Sequence, residues 1–368
     1  MSASRRPMTT AETSGYDAVL LASFGGPEGP DQIMPFLERV TAGRGIPRDR
    51  LEAVHQHYLR MGGRSPINDQ NRTLLAALRA ELSRRGVMIP LVLGNRNSPP
   101  FIDEALRELD KAGCRRVLAF ATSQYSSYSS CRQYREDLAG ALNRTGLGDR
   151  MQVAKVRPAY DRAGFVETTV ELLVAAVSGR EREGLRVLFT THSIPSADAS
   201  VSGPGAEPGE IDLYSAQHRE VANAVIVGVA AAAGEEPLPW RLVYQSRSGS
   251  PRVPWLEPDI NDALREEARD GTRTAVVVPI GFVSDHIEVL WDLDTDATRT
   301  AGELGIDLVR VPTVGTHPTF VAGLADLVQA HLAAGRDLAV GTRWAEFCAA
   351  GCCDGARAQL PTVPGVSA

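Results

Sequence analysis

Two kinds of hydrophobic pattern alternate along the chain. Short apolar runs rich in β-branched residues are typical of buried parallel strands, and stretches with apolar residues every three to four positions are typical of helices. Eight such runs predict strands at 17–23, 89–93, 117–121, 151–156, 186–191, 241–245, 274–280 and 307–312. Helical patterns, such as 214–233, lie between them. The repeated βαβα order predicts an α/β fold of two doubly wound domains with parallel sheets, which meet across a cleft.

The length of 368 residues is enough for two domains that each have a core. We expect a disordered start at 1–14, an N-terminal α/β domain at 15–180 and a C-terminal one at 181–335. We expect residues 336–368 to form an extension that carries cysteines and ends in a disordered tail.

The composition is that of a globular protein, with 43% hydrophobic and 23% charged residues. The net charge of −6 and the lack of a long basic stripe argue against a nucleic-acid partner. No apolar run is long enough to span a bilayer, and residues 1–14 lack the apolar segment of a secretory signal. We therefore expect a cytoplasmic protein.

Two of the predicted strands end in polar clusters that contain a histidine. One run ends at His192, and the other continues through His286 into a predicted helix. That helix carries Glu288, Asp292 and Asp296 at steps of four, which stacks three carboxylates on one face. Open α/β sheets bind ligands beyond strand ends, so this pattern suggests a site for a divalent metal and for protons. A solvated acidic face is the alternative. His286 points away from Glu288 if both residues are helical.

A hydroxyl-rich stretch, SQYSSYSSCRQY at 123–134, follows the third predicted strand. It offers donors for a carboxylate-bearing ligand and the ring faces of Tyr125, Tyr128 and Tyr134, or else it is a polar loop that caps a helix. The Gly-Gly-Pro turn at 25–27 lacks both the dinucleotide fingerprint and the P-loop motif. Nucleotide binding is therefore not indicated.

Five cysteines are distributed unevenly. Three of them, Cys348, Cys352 and Cys353, lie close together near the C-terminus, and Cys131 could supply a fourth thiol. Four thiolates suit a [2Fe–2S] cluster or tetrahedral zinc. Adjacent side chains point opposite ways in an extended backbone, so both members of the Cys352–Cys353 pair can ligate only if a turn lies there. Cys114 is predicted to lie in the core.

Several motifs together resemble the ferrochelatase family, enzymes that insert Fe²⁺ into a porphyrin. They are LLASFGGP at 20–27, GGRSPIN at 62–68, QYSSYSSCRQY at 124–134, THSIP at 191–195, YQS at 244–246 with PWL at 254–256, and GFVSDHIEVL at 281–290. The resemblance runs from about residue 18 to about residue 328. It implies two Rossmann-like domains of chelatase type, in agreement with the strand pattern.

The resemblance also assigns roles to residues. It implies that His192 and Glu288, the catalytic pair and Fe²⁺ ligands, face each other across the porphyrin cleft, and that Asp292 and Asp296 form an acidic path towards the surface. Which of the pair is base and which is iron ligand stays open. The propionate contacts implied are Arg44, Ser65 and Tyr134. Phe24 lines the substrate site at a position where some members have tyrosine, and phenylalanine cannot ligate iron.

Because it has no predicted membrane segment, the chain resembles the cytoplasmic branch of the family, which uses coproporphyrin III. Protoporphyrin IX is the alternative substrate. The cysteines Cys131, Cys348, Cys352 and Cys353 resemble the cluster-bearing subset, which implies a structural or sensory [2Fe–2S] cluster. The expected partners are a porphyrin with propionates and Fe²⁺, for a monomer with a contact to the next haem-pathway enzyme. Competing functions are a cobalt or nickel chelatase for a related tetrapyrrole and a non-catalytic haem- or metal-binding protein.

Overall fold

A computed structural model describes residues 15–43, 45–203, 212–248, 252–334, 348, 351–353 and 360–363. The expectations for 1–14, for Arg44 and for most of 336–368 lie outside these residues. All eight predicted strands are confirmed, with bounds within a few residues of the predicted ones. They form two four-stranded parallel sheets with helices between successive strands, so the α/β class is confirmed.

The first sheet has the strand order β2-β1-β3-β4. Its strands are β1 (Ala18–Ser23), β2 (Leu91–Asn95), β3 (Arg116–Ala121) and β4 (Gln152–Lys155). Its helices are α1 (Pro30–Val40), α2 (Arg48–Arg60), α3 (Ile67–Arg84), α4 (Ile102–Lys111), a first π-helix (Tyr128–Arg132) and α5 (Gln133–Thr145). Every residue of β1 and β2 is buried, because helices cover both faces of the sheet.

The second sheet repeats this plan with the order β6-β5-β7-β8. Its strands are β5 (Leu185–His192), β6 (Trp240–Gln245), β7 (Thr274–Val278) and β8 (Asp307–Arg310). Its helices are α7 (Ser196–Ala199), α8 (Leu213–Ala233), α9 (Ile260–Arg269), α10 (Ile287–Val289), a second π-helix (Leu290–Ala297) and α11 (Thr298–Leu304). The strands of the first sheet all precede residue 180, and those of the second sheet all follow it, while the domain boundary itself stays a prediction.

Two long helices join the halves. Helix α6 (Ala163–Val177) packs on α8, and α12 (Pro318–Ala334), which follows the last strand, packs back on α3 and α6. At the closest approach, a Cβ on Gly164 would lie only 2.8 Å from the Cα of Gly323. The chain therefore returns to the first half after the second sheet is complete, which ties the two halves together.

The C-terminal strand ends of the two sheets are joined by buried hydrogen bonds. The side-chain amide of Asn71 on α3 donates to Ser23 Oγ at 2.7 Å, and Ser284 Oγ donates to Asn71 Oδ1 at 2.9 Å. The Asp285 N–H donates to Gln70 Oε1 at 2.8 Å. Buried polar groups that are fully paired fix geometry, so the ends of β1 and β7 are held in one arrangement.

None of the helices in the described residues has the length and apolarity that a membrane span needs.

Candidate active site

His192 is the last residue of β5, and its main chain and ring are both held. Tyr214 on α8 donates its hydroxyl hydrogen to the His192 carbonyl at 2.9 Å. The ring Nδ1 contacts the Ser193 carbonyl, which can only accept, so Nδ1 carries the hydrogen. In the neutral imidazole the lone pair is then on Nε2, and that atom lies 3.8 Å from Glu288 Oε2. The histidine side chain is 33% exposed and can therefore meet a ligand.

Glu288 lies in the first turn of α10, just after β7. Its carboxylate is placed between two imidazoles, with Oε2 3.8 Å from His192 Nε2 and 3.9 Å from His286 Nδ1. The condition under which His286 would point away from Glu288 is not met, because His286 is the N-cap residue with an extended backbone and precedes the helix. Its ring packs edge-on against Phe282, and burial lowers its pKa, which favours the neutral ring.

The relative placement of His192 and Glu288 corrects an expectation. His192 ends β5, and Glu288 lies in the segment that follows β7, the strand paired with β5. A flat macrocycle between two groups needs a gap of about 7 Å, two van der Waals separations, and the pair is 3.8 Å apart. His192 and Glu288 therefore lie side by side on one wall and do not face each other across a cleft.

The acidic ladder continues from Glu288 along the second π-helix, where the sequence pattern predicted an ordinary α-helix. Burial raises the pKa of Asp292 to about 7, the carboxylates of Glu288 and Asp296 add to the rise, and a hydrogen bond from Ser246 opposes it. The charges of Glu288 and Asp296 thus act on Asp292, while the shared face of the three carboxylates stays a prediction. Asp296 ends the ladder near the surface, 3.7 Å from the exposed Arg299. π-Helical segments within α-helices are frequent at functional sites.

One contact beside the ladder was not predicted from the sequence. His57 on α2 stacks on Trp291 of the second π-helix, with ring centroids 4.1 Å apart and planes 5° from parallel. Burial lowers the pKa of His57, and the nearby carboxylate of Asp296 opposes this shift. The contact joins the two halves of the molecule beside the ladder. No local signal could have shown it, because His57 and Trp291 are far apart in sequence and each lies in an ordinary helical pattern.

Phe24 and a row of aromatic side chains form the part of the first half that lies next to this site. Phe24 directly follows β1 and is 37% exposed. Its ring packs edge-on against Phe36 at 6.0 Å, and Phe36 contacts Tyr58 at 6.1 Å. Tyr58 is buried in one hydrophobic cluster with Ile287. Burial raises the pKa of Tyr58, and the charge of Glu288 raises it further. The aromatic row therefore runs from Phe24 to the residue next to Glu288.

The other candidate substrate contacts lie deeper than Phe24. Ser65 is buried, with its N–H donating to the Pro27 carbonyl at 2.8 Å, and it fills the space beside Gly26. Tyr134 is buried as well. Tyr125, expected as a ring face for a ligand, is instead a core residue stacked on His218 at 3.4 Å. Tyr128 donates its hydroxyl hydrogen to Glu136 at 3.0 Å.

The four cysteines of the predicted cluster are brought together. The Sγ atoms of Cys131 and Cys348 are 3.7 Å apart, and those of Cys352 and Cys353 are 3.8 Å apart. Thiol hydrogen bonds also join Cys131 to Cys353 and Cys348 to Cys352. The turn that the adjacent pair requires is present, because residues 351–353 form a turn and Cys353 has a φ of +57°. Cys114 lies apart, buried in the core as predicted.

A lysine of the first half of the chain and a backbone N–H group of the second half both contact the thiols. Lys155 Nζ, at the end of β4, lies 3.5 Å from Cys131 Sγ, and the Gly203 N–H donates to Cys353 Sγ at 3.1 Å. Thiol hydrogen bonds hold the pKa of Cys131 well below its usual value, and Lys155 and Arg135 add to this effect. Within the described part of the chain, no three His, Cys, Asp or Glu side chains are arranged to hold a metal ion as they stand. The cysteines are therefore close neighbours rather than a formed metal site.

The chain matches the ferrochelatase family model over residues 16–332. It is 51% identical to the coproporphyrin III ferrochelatase of Leifsonia xyli, covering 97% of this chain and 96% of the relative. It is 49% identical to the enzyme of that name from Streptomyces coelicolor, covering 96% of this chain and 97% of the relative. Among solved structures, SirB from Bacillus subtilis with Fe³⁺ aligns with 86% of this chain and 96% of its own, at 12% identity and a TM-score of 0.49, too low to carry an argument.

The two-sheet fold, the strand-end histidine and the family match define a metal chelatase. More narrowly, the chain belongs to the ferrochelatase family, because the match covers most of its length.

Proposed function

We propose that this chain inserts Fe²⁺ into coproporphyrin III and releases the two protons of the inner pyrrole nitrogens. The relatives with about half of their residues identical are named for this substrate and align over nearly the whole chain. The structural observation that carries the proposal is the contact between His192 Nε2 and Glu288 Oε2, at the head of the acidic ladder. A base, a carboxylate and a path for protons are what metal insertion requires.

The proposed mechanism assigns protons and iron to one wall. His192 and Glu288 are the first groups to meet the porphyrin nitrogens, and imidazole and carboxylate are both suitable transient ligands for Fe²⁺. Two roles fit each of them, pyrrole base and iron ligand. Asp292, with a pKa of about 7, can take up and release a proton at neutral pH and hand it on towards Asp296.

The proposed substrate contact of the other wall is Phe24, whose exposed ring offers a flat apolar surface to the macrocycle. Ser65 and Tyr134 are buried behind it, which favours a supporting role over direct contact with a propionate. Arg44, which the resemblance implies as a propionate contact, lies outside the described residues. The phenyl ring of Phe24 offers no ligand to iron.

Iron insertion is tested by anaerobic incubation with Fe²⁺ and either coproporphyrin III or protoporphyrin IX, followed by absorbance. We expect rapid conversion of coproporphyrin III and slow conversion of protoporphyrin IX. The reverse preference would reassign the substrate within the family. Failure with both porphyrins would contradict the catalytic function. Parallel assays with Co²⁺ and Ni²⁺ on a related tetrapyrrole test the competing chelatase function.

We further propose that Cys131, Cys348, Cys352 and Cys353 hold a [2Fe–2S] cluster with a structural or sensory role. The support is the kind and closeness of the donors. Thiolates bonded at about 2.3 Å to a tetrahedral metal lie about 3.8 Å from each other. The two Sγ–Sγ distances of 3.7 and 3.8 Å agree with this spacing. When bound, the cluster would supply a link between the C-terminal segment and the rest of the chain.

The cluster is tested by anaerobic purification followed by iron, sulfide and zinc analysis and by visible absorbance. Two irons and two sulfides per chain are expected, and Cys131→Ser should abolish them while Cys114→Ser leaves them unchanged. A colourless protein that contains zinc would replace the cluster by a tetrahedral zinc site. We also propose that the protein acts in the cytoplasm as a monomer and contacts the next haem-pathway enzyme.

A further inference from the structure

Arg96, the residue after β2, is packed between the rings of Phe24 and Tyr134, which together we call the substrate wall. Its guanidinium carbon lies 4.7 Å from the ring centroid of Tyr134 and 5.8 Å from that of Phe24. The side chain is only 7% exposed and forms an ion pair with Asp137 of α5. A guanidinium N–H also bonds to the Tyr134 hydroxyl. One cation thus contacts a residue that follows β1 and two residues of α5.

The backbone on both sides of Arg96 fastens the same part of the wall. The Arg96 N–H donates to the Ser23 carbonyl at 2.9 Å. The carbonyl of Phe24 accepts two hydrogen bonds from Asn97, one from its N–H and one from its side-chain amide, each at 3.1 Å. The main chain of Phe24 is therefore fixed from the β2 side, while Arg96 covers part of its ring.

The chemistry of arginine suits this position. A planar guanidinium stacks on an aromatic face and forms hydrogen bonds in its own plane at the same time, which a lysine ammonium cannot do. Arg96 lies within cation–π distance of both rings while its N–H groups reach Asp137 and the Tyr134 hydroxyl. The exposed face of Phe24 stays available to a flat ligand, since the contacts of Arg96 and Phe36 leave 37% of the residue exposed.

We propose that Arg96 is a positioning residue for the porphyrin, which sets the placement of Phe24 and Tyr134 and thereby the affinity of the wall for the macrocycle. This inference rests on the proposed porphyrin substrate. Arg96 acts through the two rings, while His192 and Glu288 on the other sheet are untouched. Loss of Arg96 should therefore weaken porphyrin binding and leave the chemical step unchanged, which is the signature of a lost uniform binding interaction.

The test compares Arg96→Met and Arg96→Lys with the unsubstituted chain. The dissociation constant for coproporphyrin III is measured by quenching of its fluorescence, and KM and kcat are measured in the insertion assay. Arg96→Met should raise the dissociation constant and KM about tenfold, because the misplaced rings fit the macrocycle less well, with kcat within twofold. Arg96→Lys, which keeps the charge and loses the plane, should give an intermediate rise. Arg144→Met on α5, which removes an exposed pair with Asp103, is the control and should change neither constant.

A rise of less than threefold in folded Arg96→Met would overturn the inference. A parallel fall in kcat and melting temperature with an unchanged dissociation constant would also overturn it, because that is the behaviour of a purely structural arginine. If Arg96→Met does not fold, Arg96→Lys and Asp137→Asn provide the same affinity test. Failure of the proposed function is distinct, since it would appear as no iron insertion by the unsubstituted chain, whatever the affinities of the variants.

Discussion

The acidic ladder and the four-cysteine group both bury negative charge, but they treat it in opposite ways. Around Asp292, burial and the carboxylates of Glu288 and Asp296 act together to raise the pKa, and the neutral hydroxyl of Ser246 opposes them. Among the described residues, no cation shifts the pKa of Asp292, and the cation next to the ladder is the exposed Arg299 beside Asp296.

Around Cys131, hydrogen bonds from Cys348 and Cys353 lower the pKa, and Lys155 and Arg135 add to this effect. The same hydrogen bonds raise the pKa of Cys348 and Cys353, so the group favours the thiolate at Cys131. Cys131 has two cations nearby, Lys155 and Arg135.

The difference indicates what each region is for. Carboxylates without a fixed cation are costly to ionise when buried, so they favour a passing proton or metal ion. A thiol next to a fixed cation is stabilised as the thiolate, which is the form that ligates metals. Because the fixed cation already balances its charge, it does not need a mobile proton or ion. The chain contains only two lysines, Lys111 on the surface and Lys155 beside Cys131. The ladder therefore suits transport of charge, and the cysteine group suits a static structure.

The largest effect is expected from Glu288→Gln, which removes the carboxylate at the head of the ladder and keeps its size. Insertion should fall by about 10²–10⁴-fold, the usual contribution of a general acid or base, because neither proton uptake nor iron ligation is possible there. The dissociation constant for coproporphyrin III should change little. The measurement is kcat under anaerobic conditions together with porphyrin fluorescence quenching.

The matched control is Glu303→Gln on α11, whose carboxylate is exposed and paired with Arg299. Its turnover should equal that of the unsubstituted chain. Near-normal turnover of Glu288→Gln would remove the ladder from the mechanism and with it the contrast between the two regions.

The strand ends could be predicted from sequence, and the geometry between them could not. Apolar runs identified all eight strands, because that signal is local. The charge of Glu288 acts on Asp292, but the face that their spacing predicts them to share stays a prediction. The side-by-side placement of His192 and Glu288 depends on the pairing of β5 with β7, which a single sequence does not encode locally. The stack of His57 on Trp291 likewise depends on packing between the halves.

A second effect concerns the fixed cation of the cysteine group. Lys155→Met should destabilise the fold by roughly 3 kcal/mol, because it leaves a buried thiolate without its partner. The change also removes the hydrogen bond from Nζ to the Val156 carbonyl, at 3.0 Å. Urea unfolding at pH 8 under reducing, anaerobic conditions measures the change, and iron content is recorded on the same samples.

The control for this substitution is Lys111→Met, since Lys111 is exposed at the end of α4. Its midpoint should match that of the unsubstituted chain. If Lys155→Met unfolds at the same urea concentration as Lys111→Met, the cysteine group is not held by charge, and the contrast with the ladder fails on that side.

The smallest effects are expected from substitutions of Asp292 and of Ser246, whose hydrogen bond opposes the raised pKa of Asp292. The folded-state pKa of about 7 lies above the ordinary value of 3.8, so folding favours the protonated carboxyl. The stability that this provides is complete below pH 3.8 and is lost as the pH rises to about 7. Asp292→Asn stays neutral at every pH and should be more stable than the unsubstituted chain at pH 8, but not at pH 4.

Ser246→Ala should raise the pKa of Asp292 further, because the carboxylate loses the hydrogen-bond donor that stabilises its charge. A lost hydrogen bond to a charged group corresponds to about one pKa unit. If Asp292 must be ionised to accept a proton, kcat falls below pH 7 in the unsubstituted chain, and the midpoint moves up by about one unit in Ser246→Ala, with KM unchanged. An unmoved midpoint would mean that another group controls the pH dependence, and that Asp292 bears its raised pKa without using it.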